Sequence, residues 1–144
     1  MADNIKQLTI EHYDDIIRIW ADAGLPWHPQ GRDAKAKIAK EIERDDTVFL
    51  GLFENRRMIA VGLATYDGRK GWINRVAVDP DHRGRGLGGK MIAACERFLR
   101  QRGATVIGCL IEEHNLPSMA LFQKHGYCFY EGVMYFSKRD SEES

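Results

Sequence analysis

Residues 76–89 read Val76-Ala77-Val78-Asp79-Pro80-Asp81-His82-Arg83-Gly84-Arg85-Gly86-Leu87-Gly88-Gly89. An apolar run enters a loop with two arginines and four glycines, and an amphipathic pattern begins at once. Glycine lets the backbone turn tightly and bring its N–H groups close to a ligand. A helix start adds unpaired N–H donors and partial positive charge. Arg83 and Arg85 add full charges with forked donors. The chemistry these parts suit is binding of a pyrophosphate.

Two familiar phosphate motifs fit this loop poorly. Gly84-x-Gly86-x-x-Gly89 matches the dinucleotide fingerprint in form, and Glu112 falls where a ribose-binding acid would sit. In that fingerprint the first glycine comes directly after its strand, whereas here five residues separate Val78 from Gly84. Arginines crowd the loop, and the hairpins around it do not build a doubly wound sheet. A Walker-type loop is absent, since no Gly-Lys-Ser/Thr stands after a suitable glycine. An NAD(P)-dependent oxidoreductase is therefore a rival reading only.

The elements that must position this loop are set by apolar periodicity and turn residues. Residues 5–8 read as a strand. Thr9 caps a helix with Tyr13, Ile16, Ile17 and Trp20 on one side, ended by Gly24. Residues 25–31, with two prolines and a glycine, are irregular. A second helix starts near Asp33 with Ile38 and Ile42 inward. Strands at 47–53 and 58–66 form a hairpin around 54–57, and a third runs over 72–78. A helix over 88–102 presents Met91, Ile92, Cys95, Phe98 and Leu99 on one face, with Gly103 as its cap. Residues 105–111 read as an apolar strand and 115–124 as a short helix with Pro117 in its first turn. A last hairpin joins 127–130 to 133–137 around Glu131-Gly132. The fold class is α/β (α+β): one domain over 1–139, with about seven strands in a mixed sheet, about four helices, and an acidic tail at 140–144 without fixed structure.

Composition narrows the function. A chain of 144 residues can bury one core without disulfides or a metal. Lys plus Arg and Asp plus Glu are both 21, so the formal net charge is zero. That argues against broad nucleic-acid or membrane binding and leaves room for a local basic pocket. No apolar run is long enough to cross a bilayer, and Met1-Ala2-Asp3-Asn4 lacks the shape of a signal peptide. A cytoplasmic protein is expected. Cys95, Cys109 and Cys128 are too far apart for a zinc site and read as buried small hydrophobes. The five histidines show no HExxH-type pairing, so no metal is expected.

Arg83-Gly84-Arg85-Gly86-Leu87-Gly88 resembles the Arg/Gln-x-x-Gly-x-Gly/Ala signature of the GNAT superfamily of N-acetyltransferases. Val76-Ala77-Val78-Asp79-Pro80 resembles the strand and turn that precede it there. Asn115-Leu116-Pro117-Ser118-Met119-Ala120-Leu121-Phe122-Gln123-Lys124-His125-Gly126-Tyr127 is similar to the family's Asn-x-x-Ala/Ser-x-x-Leu-Tyr-x-Lys-x-Gly-Phe segment. The loop Pro26-Trp27-His28-Pro29 resembles that of a bacterial subgroup of unassigned acceptor. The resemblance covers nearly the whole chain.

The resemblance implies acetyl transfer from acetyl-CoA to an amine, on a sheet splayed at the acetyl-CoA site. Backbone N–H groups of Arg85, Gly86, Leu87, Gly88, Gly89 and Lys90 hold the pyrophosphate, with Arg83 and Arg85 assisting and Gly84 shaping the turn. Val76, Ala77 and Val78 border the pantetheine arm, to which Val76 and Val78 offer main-chain groups. Asn115, Ser118 and Phe122 belong to the cofactor-side segment, where Asn115 either touches the cofactor arm or caps its helix. Lys124 can reach the adenosine phosphates. Phe122 stands where many members carry the tyrosine thought to protonate the departing thiolate, which leaves Tyr127, Tyr130 or a water for that role. Glu113 and His114 are the candidate bases. Trp27 and His28 border the acceptor, and Asn74 can orient a water. The acceptor is a small-molecule or peptide amine, and a homodimer is compatible. The alternative is a non-catalytic acyl-CoA binding or sensing module on the same fold.

Overall fold

Apolar residues alternate between positions 47 and 78 and build the antiparallel centre of a sheet. The computed structural model describes residues 4–142 and 144. In it β1 (Ile5–Gln7), β2 (Thr47–Glu54), β3 (Arg57–Tyr66) and β4 (Gly71–Val78) are antiparallel neighbours, and β5 (Ile107–Gly108) adds parallel to β4. The β2–β3 turn is made by Asn55 and Arg56, whose φ angles of 51° and 68° give the left-handed pair that a two-residue hairpin favours.

Helices cover both faces. Thr9 Oγ1 accepts the Glu11 N–H at 3.3 Å and caps a 3₁₀ turn at Ile10–His12, which leads into α1 (Tyr13–Asp22). With α2 (Lys35–Ile42), α1 buries Ile16, Ile19, Trp20 and Ile38 against Phe49, Met58 and Val61 of the sheet. On the opposite face α3 (Leu87–Gln101) sets Ile92, Cys95 and Leu99 against Val48, Ala64 and Ile73. Each such aliphatic side chain contributes about 1.5–3 kcal/mol by leaving water. Gly103, at φ 103°, ends the connection out of α3 as expected of a left-handed cap. The last helix is α4 (Leu116–Lys124).

Three expectations need correction. The sheet has five strands among the described residues rather than about seven. The strand read over 105–111 contracts to Ile107–Gly108, because β4 and β5 stay paired only at Gly71–Ile107 and Trp72–Gly108. The hairpin of 127–130 and 133–137 is not formed: these residues carry no ladder, and their large apolar side chains are exposed. Apolar alternation reports that a segment suits a pleated surface, but a receiving strand must exist, and β5 is two residues long. Cys128 is accordingly exposed rather than buried, while burial pushes the Cys95 thiol up to about 12 and the Cys109 thiol up to about 11. Asp33 precedes α2 and is itself buried. Met1, Ala2, Asp3 and Glu143, at the two ends of the chain, lie outside the described residues.

The β3–β4 turn rests on one carboxylate. Asp67 Oδ1 accepts the Arg69 and Lys70 N–H groups at 2.8 and 2.7 Å, and Oδ2 accepts Trp72 Nε1 at 3.1 Å. The backbone donors hold its pKa down at about 2, against an ordinary 3.8. A carboxyl depressed on folding stabilises above its unfolded pKa and ceases to do so as pH falls through the folded value. Asp67→Asn should therefore melt below wild type near pH ~7, and the difference should close between pH ~4 and ~2. Thermal melts at these pH values check it, and a gap that persists at pH ~2 contradicts it.

Candidate active site

After Trp72 the β4 backbone loses its partner on one side. In an antiparallel ladder each residue sends both backbone groups to one neighbour, and successive residues alternate. Asp79 donates to the Ile59 carbonyl of β3 at 2.8 Å. By parity Ala77 also faces β3, so Val76 and Val78 direct their N–H and C=O to the open edge. A bulge lies just upstream, where the β3–β4 register shifts between Val61 and Leu63 and Arg75 takes φ 57°. Left-handed backbone costs a residue with a Cβ about 1–2 kcal/mol. Asn74 sits half-buried beside it, opposite Leu63.

The glycine loop continues from this edge. Gly84 and Gly86 have φ of 79° and 74°, and a side chain built on either would meet no atom within 4 Å. Their outer surface is thus open to a ligand, and Gly86 is the N-cap of α3. The N–H groups of the first turn, from Leu87 onward, have no earlier helical turn to bond. Lys90 closes that turn through its N–H to the Gly86 carbonyl at 3.2 Å. Gly88 and Gly89 serve a different purpose: a Cβ there would stand 2.9 Å from Leu121 Cδ2 and 2.5 Å from His125 Nε2, so their bareness lets α4 lie across the start of α3. These features fit a phosphate-bearing ligand: Gly84 and Gly86 are exposed with no side chain in the way, and they lead into the helix start at Leu87, which is itself buried.

The loop is anchored by charges that no local sequence pattern announces. Asp79 is buried. Its Oδ1 accepts the Asp81 N–H at 3.0 Å, and Arg18 and Arg57 approach Oδ2 at 3.5 and 3.6 Å. The Asp81 N–H holds this carboxyl below its ordinary range despite burial, helped by His82, Arg57 and Arg18. Arg85 forks onto Glu54, with Nη2 to Oε2 at 2.6 Å and Nη1 to Oε1 at 3.4 Å, and this bond lowers the Glu54 pKa. Arg83 is exposed and makes no ion pair among the described residues.

On the α4 side, Asn115 Oδ1 accepts the Ser118 N–H at 3.2 Å, so the asparagine is a helix cap in this state. Phe122 is buried in the α3-side core and meets Tyr127 edge to face at 5.0 Å. Tyr127 donates its hydroxyl to Glu96 Oε2 at 2.7 Å, and burial together with that carboxylate raises its pKa. Glu113 and His114 are exposed on the segment between β5 and α4, where His114 Nε2 lies 3.3 Å from Glu112 Oε2. The structure thus joins the β4 edge directly to the loop and sets the C-terminal half of α4, at Leu121 and His125, against the first turn of α3. Tyr130 remains apart from these elements as an exposed residue of the C-terminal segment. Among the described residues no group of three or more His, Cys, Asp or Glu is arranged to hold a metal ion.

The family model described as acetyltransferase (GNAT) family matches residues 13–127. The chain belongs to this family. By that membership it is an acetyltransferase. Among curated relatives it is 25% identical over 141 residues to acetyltransferase SG1711 of Sodalis glossinidius, covering 96% of each chain. Among solved structures it is similar to the PaiA N-acetyltransferase of Thermoplasma acidophilum in complex with coenzyme A, with a TM-score of 0.81, 18% identity, and 92% and 94% of the two chains covered. It is also similar to AAC(6')-Iy in complex with the bisubstrate analogue CoA-S-monomethyl-acetylneamine, with a TM-score of 0.79, 18% identity, and 96% and 99% covered.

In this GNAT chain the loop between α1 and α2 is tied to the β4 bulge. Asp33 Oδ2 accepts both the His28 N–H at 2.7 Å and Arg75 Nη2 at 3.1 Å, and Tyr13 donates to the Asp33 carbonyl at 2.7 Å. The Arg75 guanidinium lies over the Trp20 ring at 4.6 Å, and Trp27 packs against the same core. Asp33 and Arg75 are 42 positions apart, too far for a local pattern to link them. Asp33→Asn replaces a charged acceptor of two bonds by a neutral one and should lower stability by about 1–3 kcal/mol. Loosening residues 25–33 should raise KM for the amine more than KM for acetyl-CoA. Denaturant melts and steady-state kinetics check both, and an unchanged amine KM would separate this strut from the acceptor side.

Proposed function

We propose that acetyl-CoA lies along the free edge of β4, with its diphosphate over the Gly84–Gly86 turn, and that its acetyl group passes directly to an amine entering from the side of residues 25–33. One juxtaposition supports this reading above the others: the outward backbone groups of Val76 and Val78 lead straight into left-handed glycines at the start of α3. When bound, acetyl-CoA supplies an acyl group already activated as a thioester. The residues of this chain then orient and polarise. Val76 and Val78 offer main-chain groups beside Ala77, and the Val78 N–H is the donor suited to the oxygen on which charge develops. The α3 amides and Arg83 meet the phosphates, while Arg85 acts through Glu54 in shaping the loop. Asn115, Ser118 and Phe122 form the far wall.

An ammonium has no lone pair, so the acceptor must shed a proton. Glu113 or His114, directly or through water, is the proposed base, with Asn74 orienting that water and Trp27 and His28 bordering the acceptor. The Tyr127 hydroxyl is committed to Glu96, and its raised pKa makes it a weak acid. A thiol with a pKa of about 8.5 leaves tolerably as thiolate or with a proton from water. The acceptor class is an amine on a small molecule or a peptide, and the complex of AAC(6')-Iy with an acetylneamine analogue supports the first. A cytoplasmic setting is consistent with the described residues, which contain no helix long and apolar enough to cross a membrane.

Two measurements test this. Gly86→Glu and Arg83→Glu each set a carboxylate against phosphate and should raise the Kd for coenzyme A at least about 30-fold, with Gly86→Ala reporting the backbone strain alone. Normal affinity in both would move the diphosphate elsewhere. Glu113→Gln and His114→Ala, assayed by acceptor-dependent thiol release, should slow transfer to lysine-like amines, of pKa about 10.4, more than to α-amino groups near about 7.8. Equal losses on both acceptors would remove these residues from the proton's path, and coenzyme A binding without thiol release on any acceptor would favour a sensing module.

A further inference from the structure

His82 stands between two carboxylates that belong to different parts of the fold. It ends the 3₁₀ turn Pro80–His82, just before the glycine loop. Its Nε2 lies 3.7 Å from Glu54 Oε1 on β2, and its Nδ1 lies 3.8 Å from Oδ1 of Asp79, the residue after β4. Both are ion-pair distances, and both exceed a hydrogen bond. The side chain is 22% exposed, yet Nδ1 is buried without a hydrogen-bond partner among the described residues. Buried polar atoms are ordinarily satisfied, and this one faces a buried carboxylate.

Proton count accounts for the open contacts. A neutral imidazole has one N–H and one lone pair. Whichever tautomer it takes, the lone pair faces one of the two carboxylates, and the ring cannot close on both. An imidazolium has two donors, one for each carboxylate. The surrounding charges leave room for it. Arg18 of α1 and Arg57 of β3 approach Asp79 at Oδ2, and Oδ1 accepts the Asp81 N–H at 3.0 Å. Arg85 takes Glu54 chiefly at Oε2, at 2.6 Å, with Oε1 at 3.4 Å. Asp15 pairs with Arg18 behind this cluster, and Asp81 and Arg83 flank His82 in sequence. The Arg85 bond holds the Glu54 carboxyl low, the Asp81 N–H does so for Asp79, and His82 adds to both.

We propose that His82 is a positioning residue, a proton-operated latch that joins β2 to the turn after β4 and sets the glycine loop for the diphosphate of the cofactor. Protonation closes both contacts, which fixes the turn at Pro80–His82 and with it the course of residues 83–86. Histidine ordinarily changes charge between pH ~5 and ~8. The closed latch carries the extra proton, so affinity for coenzyme A rises as pH falls through that range. By reciprocity, binding takes up protons. This inference rests on the placement of the diphosphate proposed above and adds to it a control by pH.

Dephospho-coenzyme A is the probe, because the phosphate monoester it lacks itself titrates near pH ~6. Calorimetry between pH ~8 and ~5.5 should show its Kd falling at least about fivefold, with proton uptake read from the dependence of the heat on the buffer. His82→Gln should abolish this response, while His125→Gln, at the imidazole beside Gly89, should keep it. Glu54→Gln removes one of the two anchors and should lose most of the response. A full response in Glu54→Gln means that the ring meets phosphate directly, and it overturns the latch. Far-UV circular dichroism and the thermal midpoint confirm that the variants remain folded. A response that survives His82→Gln also overturns the proposal. So does a wild-type Kd that does not change with pH: if Gly86→Glu still weakens the probe, the latch alone fails, and if it does not, the placement of the diphosphate fails with it.

Discussion

From Ile73 to Val78 one strand is paired on a single side, and the polar groups of Val76 and Val78 stand at an edge inside the molecule rather than at its rim. Backbone donors and acceptors in such a place need partners. Water can serve, but so can an extended amide-bearing molecule that reads the edge as a further strand does. The shortness of β5 creates that opening: were it to stay paired along residues 109–111, the edge would be closed. The bulge at Arg75 belongs to the same constraint, since two residues set against Gly62 bend the strand where the pairing parts.

The edge is useful only if the loop beyond it is rigid. Asp79 ends β4 and gathers Arg18, Arg57, His82 and the Asp81 amide around one buried carboxylate. Glu54, on the β2–β3 hairpin, holds Arg85 from the far side. These contacts fix the loop on side chains rather than through its glycines, which supply conformation alone. They also divide the two arginines. Arg85 is paired with Glu54 within the fold, whereas Arg83 is exposed and makes no ion pair among the described residues, so a chain of zero net charge still carries an uncompensated cation on this loop.

Much of this is legible in the residues. The left-handed glycines, the strand before them, the α3 stripe of Met91, Ile92, Cys95 and Leu99, and the Asn115–Pro117 helix start are local patterns, and the structure contains each of them. The Asp33–Arg75 strut and the Asp79 cluster are not legible, because their members are brought together only by the finished sheet. Residues 127–137 depart from expectation for a different reason. Their alternation reports correctly that they suit a pleated, buried surface, but pattern cannot say which edge, or whose, provides it. Phe122 is a departure from the family motif, and its burial beside Tyr127 shows what the position does here: it joins α4 to the α3 core.

The proposed recognition through backbone amides places few demands on side-chain identity, in keeping with a shared fold of TM-score 0.81 at 18% identity. An N–H at a helix start, or on an unpaired strand, is present whatever side chain the residue bears. The demands on identity reduce to a few: no Cβ where φ is positive at Gly84 and Gly86, no side chain between α3 and α4 at Gly88 and Gly89, and apolar residues of suitable volume on the sheet. Side-chain chemistry is then free to vary where the amine must be recognised. In this chain Trp27, His28, Asp33 and Arg75 join the first interhelical loop to the bulge of β4, which is where the proposed function places the amine. On the proposed reading, cofactor and acceptor are addressed by different physics, the first by main chain and helix polarity, the second by side chains whose placement depends on the Asp33–Arg75 ion pair.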